Sequence, residues 1–175
     1  SRALELIMQM RYVTVLGAHQ TGKTSLLYKL RAELERMHYI PVLINLSNYE
    51  HCGQSEWYGL VSQGIIDSVG ERIVAKARRR LRRVANPAEF KSMFGRLATD
   101  IGSDARIVIM FDNIDAVPES IADDFFGLLC TICDDRGMTK EYQQIVFVTA
   151  GAAHPNDLVS EDNYNSPFFL ISEHL

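Results

Sequence analysis

Long apolar runs are missing from this chain. Nothing approaches the roughly 18–20 consecutive apolar residues of a membrane-spanning helix, and no charged, apolar and cleavage-site sequence opens it as a secretory leader would. Cysteine is scarce: Cys52, Cys130 and Cys133 are too few for a disulfide framework, which points to a reduced, cytoplasmic protein. Positive charge is not in excess. The 18 Lys and Arg face 22 Asp and Glu, a net charge of −4, so there is no global attraction to nucleic acid. Internal repeats and low-complexity tracts are also missing. No Met precedes Ser1, so the expectation is a piece of a longer protein. What remains is 175 residues, 47% hydrophobic and 23% charged, the size and composition of one domain around one core.

Against that background one stretch stands out: Gly17-Ala18-His19-Gln20-Thr21-Gly22-Lys23-Thr24, which reads G-x-x-x-x-G-K-T. An apolar run, Tyr12 to Leu16, precedes it, and a segment with helical periodicity follows. That strand, loop and helix context is what a phosphate-cradling P-loop requires. Glycines let the loop turn its N–H groups inward around an anion, and the helix adds its positive end. Lys23 is expected to reach the β- and γ-phosphates and the Thr24 hydroxyl to ligate Mg²⁺. Gly17, Gln20, Thr21, Gly22, Lys23, Thr24 and Ser25 form the expected nucleotide-binding set, with ATP or ADP as ligand.

The chain in order supports an α/β architecture. Leu4, Leu6, Ile7 and Met10 give a short helical lead-in to a strand over 12–16. After the loop, Leu26, Leu27, Leu30, Leu34 and Met37 recur at helical spacing. Ile40 to Ile44 reads as a second strand, with Pro41 at its start and an edge position expected. Residues 46–105 carry no strand-like run; helices over Gln54–Val69, around Ile73 to Val84 and over Phe90 to Ile101 make a helical insertion, with Gly102 as a cap. Ile107 to Phe111 is a third buried strand ending on Asp112, whose carboxylate can hold the magnesium hydration shell opposite Thr24. Pro118 suits the first turn of a helix whose apolar face, Ile121 to Cys133, is too wide for the sheet alone. Ile145 to Val148 is a fourth strand ending on Thr149, and Phe168 to Ile171 a fifth.

With these parts placed, the chain resembles the ASCE division of P-loop NTPases, and more narrowly the AAA-like domain of STAND signalling NTPases. The resemblance rests on Gly17 to Leu27, Ile107 to Asp115 and Ile121 to Leu129, with Ser166-Pro167-Phe168 before the last strand. It implies a three-layer α/β P-loop NTPase fold with a mostly parallel five-stranded sheet, ordered 5-1-4-3-2, and a helical insertion after the second strand. It implies that residues 1–175 are one nucleotide-binding domain, acting as an ATP/ADP-dependent signalling switch with slow hydrolysis. Further domains and protein partners would lie elsewhere in a longer chain. Thr149 becomes the sensor that can hydrogen-bond the γ-phosphate or attacking water. The sequence departs from the family where an acid usually follows the magnesium aspartate: Asn113 stands there, and an amide takes no proton from water. Asp115 is then the candidate base. Two alternatives stay open, an oligomeric AAA-type ATPase acting on DNA and a module that holds ADP or ATP without turning it over.

Other features carry blander readings. Cys130 and Cys133 spell C-x-x-C on a helix without a second pair or a matching His, so packing is preferred to zinc or redox chemistry. Lys76 to Arg83 places six basic residues within eight positions. A solvated helix face is favoured there over contact with nucleic acid, an acidic partner or a neighbour's nucleotide.

Overall fold

The structure is a computed structural model that describes residues 2–18, 20–70, 84–153 and 155–160. Four short segments rich in β-branched and aromatic side chains form its sheet: β1 (Val13–Leu16), β2 (Ile40–Asn45), β3 (Ile107–Asp112) and β4 (Ile145–Gly151). All pair in parallel, in the order β1-β4-β3-β2. Strands buried on both faces need no alternation, which is why β3 and β4 are apolar nearly throughout. Five strands were expected. The described sheet has four, and residues 168–171 lie outside the described residues.

Parallel neighbours need crossovers, and helices supply them. A lead-in helix α1 (Arg2–Met8) precedes β1, α2 (Lys23–Arg36) follows it, α3 (Gln54–Val69) and α4 (Pro87–Ile101) separate β2 from β3, and α5 (Glu119–Asp134) joins β3 to β4. One sheet face, through Val13, Val108, Met110 and Val148, packs on Leu6, Ile7, Leu27 and Leu30 of α1 and α2. The other, through Ile109, Phe111 and Phe147, packs on α3, α4 and α5. These are the three layers. Of the helical insertion, two helices are described; the basic stretch Lys76–Arg83 lies outside the described residues.

Several boundaries follow from local chemistry. Asn86 caps α4 by accepting from the Glu89 N–H at 2.9 Å, while Glu89 accepts from the Ala85 N–H at 2.8 Å, with Pro87 at the first helical position. Pro118 precedes α5 directly rather than sitting in its first turn. Pro41 lies second in β2, which pairs with β3 alone among the described strands, so no ladder is broken on its other side. The wide apolar face of α5 has an explanation. Phe125 stacks edge-on against Phe111 of the sheet and Trp57 of α3, with ring centroids 5.2 and 5.1 Å apart. The helix is buried between sheet and insertion. At the opposite end of the sheet from the P-loop, the Arg136 guanidinium donates to the carbonyls of Met10 and Ile145 and lies over the Tyr12 ring. The Tyr12 hydroxyl donates in turn to the Leu129 carbonyl.

Candidate functional site

The P-loop closes where β1 ends. Gly22 adopts φ 91°, a left-handed conformation that a side chain would strain, and Gln20, two residues earlier, has φ 64°. At Gly17 the reason for glycine is space: a Cβ there would lie 2.7 Å from the Thr21 hydroxyl oxygen. The loop is held at both ends. Gly17 N–H continues the sheet ladder to the Gly151 carbonyl at 3.3 Å, and Thr21 Oγ1 donates to the Ala18 carbonyl at 2.8 Å. Helix α2 begins at Lys23, so its N-terminal end faces the space enclosed by the loop. Ser25, in the first turn, is exposed. Lys23 Nζ folds back onto the loop, donating to the carbonyls of Gly17 and Ala18 at 2.5 and 2.6 Å.

Thr24 and Asp112 meet. The Thr24 hydroxyl donates to Asp112 Oδ2 at 2.7 Å, and Asn113 N–H donates to Oδ1 at 3.0 Å. Asp112 ends β3 on the same sheet face that packs against α2, which is how residues 88 positions apart converge. A hydroxyl and a carboxylate side by side are hard oxygen donors. They fit a magnesium ion that keeps most of its remaining positions for phosphate oxygens and water. A cleft of about 400 Å³ opens beside this pair, lined also by Tyr28, Arg31, Asn45 and Tyr49. Burial, with Cys52 adding to it, pushes the Tyr49 phenol up, so it remains a donor at neutral pH.

The two residues considered for catalysis are placed differently. Strand β4 runs on to Gly151, two residues past the end expected at Thr149. Thr149 is fully buried within the ladder, opposite Phe111 and Thr14, and its hydroxyl is paired with Thr14 Oγ1 at 3.0 Å. It lies on the face away from Asp112, because alternation puts Val148 and Ala150 on the α2 side. Asp115 sits in a 3₁₀ turn after β3, and both of its carboxylate oxygens accept backbone N–H groups: Oδ2 from Ala152 at 2.8 Å and Oδ1 from Ala153 at 2.6 Å.

Asn113 also has a defined task. It occupies the left-handed region at φ 55°, which asparagine tolerates better than most residues, and turns the chain out of β3. Its Nδ2 donates to Asn45 Oδ1 at 2.9 Å, an oxygen that also accepts from the N–H and hydroxyl of Ser47. Asn45, in register with Asp112 at the end of β2, was not singled out from the sequence. The signal was present: an Asn followed two residues later by Ser is an Asx-turn pattern closing a strand. A second cleft of about 780 Å³ is larger, yet Glu50, Asp115, Glu119 and Asp123 line it. Carboxylates repel polyphosphate, so the smaller, loop-side region is the nucleotide candidate.

The thiols form no disulfide, and Cys133, half-buried on α5, is pushed up mainly by burial, against thiolate chemistry. Among the described residues, no group of three or more His, Cys, Asp or Glu could hold a metal, and no helix is long and apolar enough to cross a membrane.

No family model matches the chain. It is 26% identical over 174 residues to an uncharacterised WD repeat-containing protein of Synechocystis, a match covering 94% of this chain and only 14% of that protein. Among solved structures it is similar to the Drosophila ORC complex with poly(dA/dT) DNA and Cdc6. There the TM-score is 0.58, the identity 12%, and the match covers 99% of this chain and 28% of that one. It is also similar to Cdc6p from Pyrobaculum aerophilum, with TM-score 0.56, identity 16% and coverage of 99% and 44%. At such identities the likeness is one of fold: this chain shares an α/β parallel-sheet architecture with these proteins.

Proposed function

We propose that this domain binds ATP or ADP with Mg²⁺ and serves, within a longer cytoplasmic protein, as a nucleotide-dependent signalling switch that hydrolyses ATP slowly. The observation that carries this reading is the hydrogen bond between Thr24 and Asp112 at the mouth of a G-x-x-x-x-G-K-T loop. The loop's N–H groups and the start of α2 would hold the phosphates, Lys23 would move from the loop carbonyls to the β- and γ-phosphates, and Thr24 with Asp112 would hold magnesium. Bound magnesium would neutralise charge between the β- and γ-phosphates. The slow turnover follows from what lies beyond Asp112: an amide at 113 tied to Asn45, and at 115 a carboxylate whose two oxygens are occupied. Neither of the two positions offers a carboxylate free of other contacts. The match to a small part of a WD repeat-containing protein supports a longer chain with repeat domains and protein partners.

The test is calorimetric titration with ATP and ADP, each with and without Mg²⁺, followed by single-turnover hydrolysis. Magnesium-dependent binding with turnover far below one per second fits the switch. Absence of binding in the folded domain defeats it. A second reading, an AAA-type ATPase that assembles on DNA, is favoured by the likeness to ORC in a DNA complex. It requires DNA affinity that falls with salt at a slope near −0.9 per neutralised phosphate. That affinity would be lost on replacing Arg79, Arg80, Arg82 and Arg83 together.

A further inference from the structure

We propose that Asp115 is a positioning residue: it anchors the segment leaving β4 and through it fixes the start of the P-loop. The inference rests on the nucleotide-binding reading above for its effect on affinity, and on geometry alone for the anchor. The Asp115 carboxylate reaches across 37 and 38 positions of sequence to take the Ala152 and Ala153 N–H groups, one on each oxygen. Two consecutive N–H groups on the two oxygens of one carboxylate fix both the direction and the orientation of the chain as it leaves β4.

The approach is close enough to dictate the residue at the strand's last position. A Cβ on Gly151 would lie 2.6 Å from Ile114 Cγ1 and 2.9 Å from Asp115 Oδ2. The same glycine's carbonyl accepts the Gly17 N–H, the first backbone donor of the phosphate loop. Asp115, Gly151 and Gly17 therefore form one chain of contacts. It runs from the turn after the magnesium aspartate, over the end of β4, to the loop that would hold the phosphates. Asp115 touches none of the residues proposed to contact nucleotide, so it acts through Gly151. To serve as a base, its carboxylate would have to take a proton on a lone pair beside those that already hold the Ala152 and Ala153 N–H groups, with both oxygens turned toward that backbone.

The anchor and the base make opposite predictions. Asp115→Ala removes both acceptors and Asp115→Asn leaves one, so an anchor gives a graded series. The Kd for Mg-ATP rises by about tenfold or more in the alanine variant and by less in the asparagine variant, with single-turnover rates of bound ATP within a few-fold of wild type. Amide hydrogen exchange of the nucleotide-free protein supplies the readout that a loss of general stability would not mimic. Exchange at Gly17, Ala152 and Ala153 accelerates, while amides in β3 keep their protection. A base instead leaves Kd and exchange unchanged and lowers the single-turnover rate by about 10²–10⁴-fold in both variants. That result, or unaltered exchange at these three amides, overturns the proposal. If wild-type protein binds no Mg-ATP, the nucleotide reading fails separately, and exchange at the three amides still decides the anchor.

Discussion

Lys23→Ala is the perturbation whose size the structure most directly bounds. In the free protein the ammonium already donates to the Gly17 and Ala18 carbonyls at 2.5 and 2.6 Å. Binding a triphosphate therefore exchanges two neutral acceptors for anionic ones instead of filling an empty donor. The ammonium already makes these carbonyl contacts charge-assisted, at about 1.5–3 kcal/mol each, so an anionic acceptor adds only the increment of a second ionised partner. Taking that increment as roughly 1–2 kcal/mol over both contacts together, at about 1.4 kcal/mol per decade the Kd for Mg-ATP should rise about tenfold, well short of a hundredfold. ADP, lacking the γ-phosphate, should lose less. Calorimetry with ATP and ADP on wild type and Lys23→Ala reads both numbers, and far-UV circular dichroism confirms that the variant is folded. Unchanged ATP affinity in a folded variant refutes the P-loop assignment. A loss well beyond a hundredfold refutes the exchange argument and shows that the carbonyl contacts contribute nothing in the free state.

Asp112→Asn removes the charge opposite Thr24, so Mg-ATP affinity should fall about tenfold or more while affinity for ATP in EDTA stays level or improves; titrations with and without magnesium test the contrast. Asn113→Glu places an acid next to Asp112 but loses the donor to Asn45 and strains a left-handed residue. Turnover should rise while thermal or urea unfolding shows a loss of about 1–2 kcal/mol. Phe125→Ala empties the junction of sheet and insertion, and urea unfolding should record a loss of about 3–5 kcal/mol.

Much of this arrangement could be read from residues. Parallel strands buried on both faces leave unbroken apolar runs, so β1, β3 and β4 were visible, and the loop between β1 and α2 announces itself through glycine spacing. Asp112 was legible as a neighbour of Thr24 because a buried strand ending in a carboxylate, weak as a signal alone, becomes informative in a chain that also carries a P-loop. What escaped was whatever depends on pairing across the sheet. Thr149 looked like a strand end because threonine is polar, yet Thr14 on the neighbouring strand satisfies its hydroxyl and lets β4 continue. Asp115 was singled out because it is acidic and near Asp112; the backbone groups it holds lie 37 and 38 residues on, where no local pattern points to them. Asn45 carries a local Asx-turn signal, but its place beside Asp112 comes from the register between β2 and β3, which no local pattern states.

The guanidinium of Arg136 gives the sheet a pivot. By holding the carbonyls of Met10 and Ile145 it ties together the starting points of β1 and β4, at the end of the sheet far from the phosphate loop. Sliding one strand along the other would pull this charged group from its acceptors as well as break the ladder between them, so a small tilt is the less costly displacement. Four residues of β1 at about 3.3 Å each make a lever of roughly 13 Å. A tilt of about 5° at the pinned end would carry the far end of such a lever through roughly 1 Å. That is comparable to the difference between a hydrogen bond made and one broken. Asp115 holds the segment beyond Gly151 from the β3 side, so such a tilt would be felt first where the Gly17 N–H meets the Gly151 carbonyl.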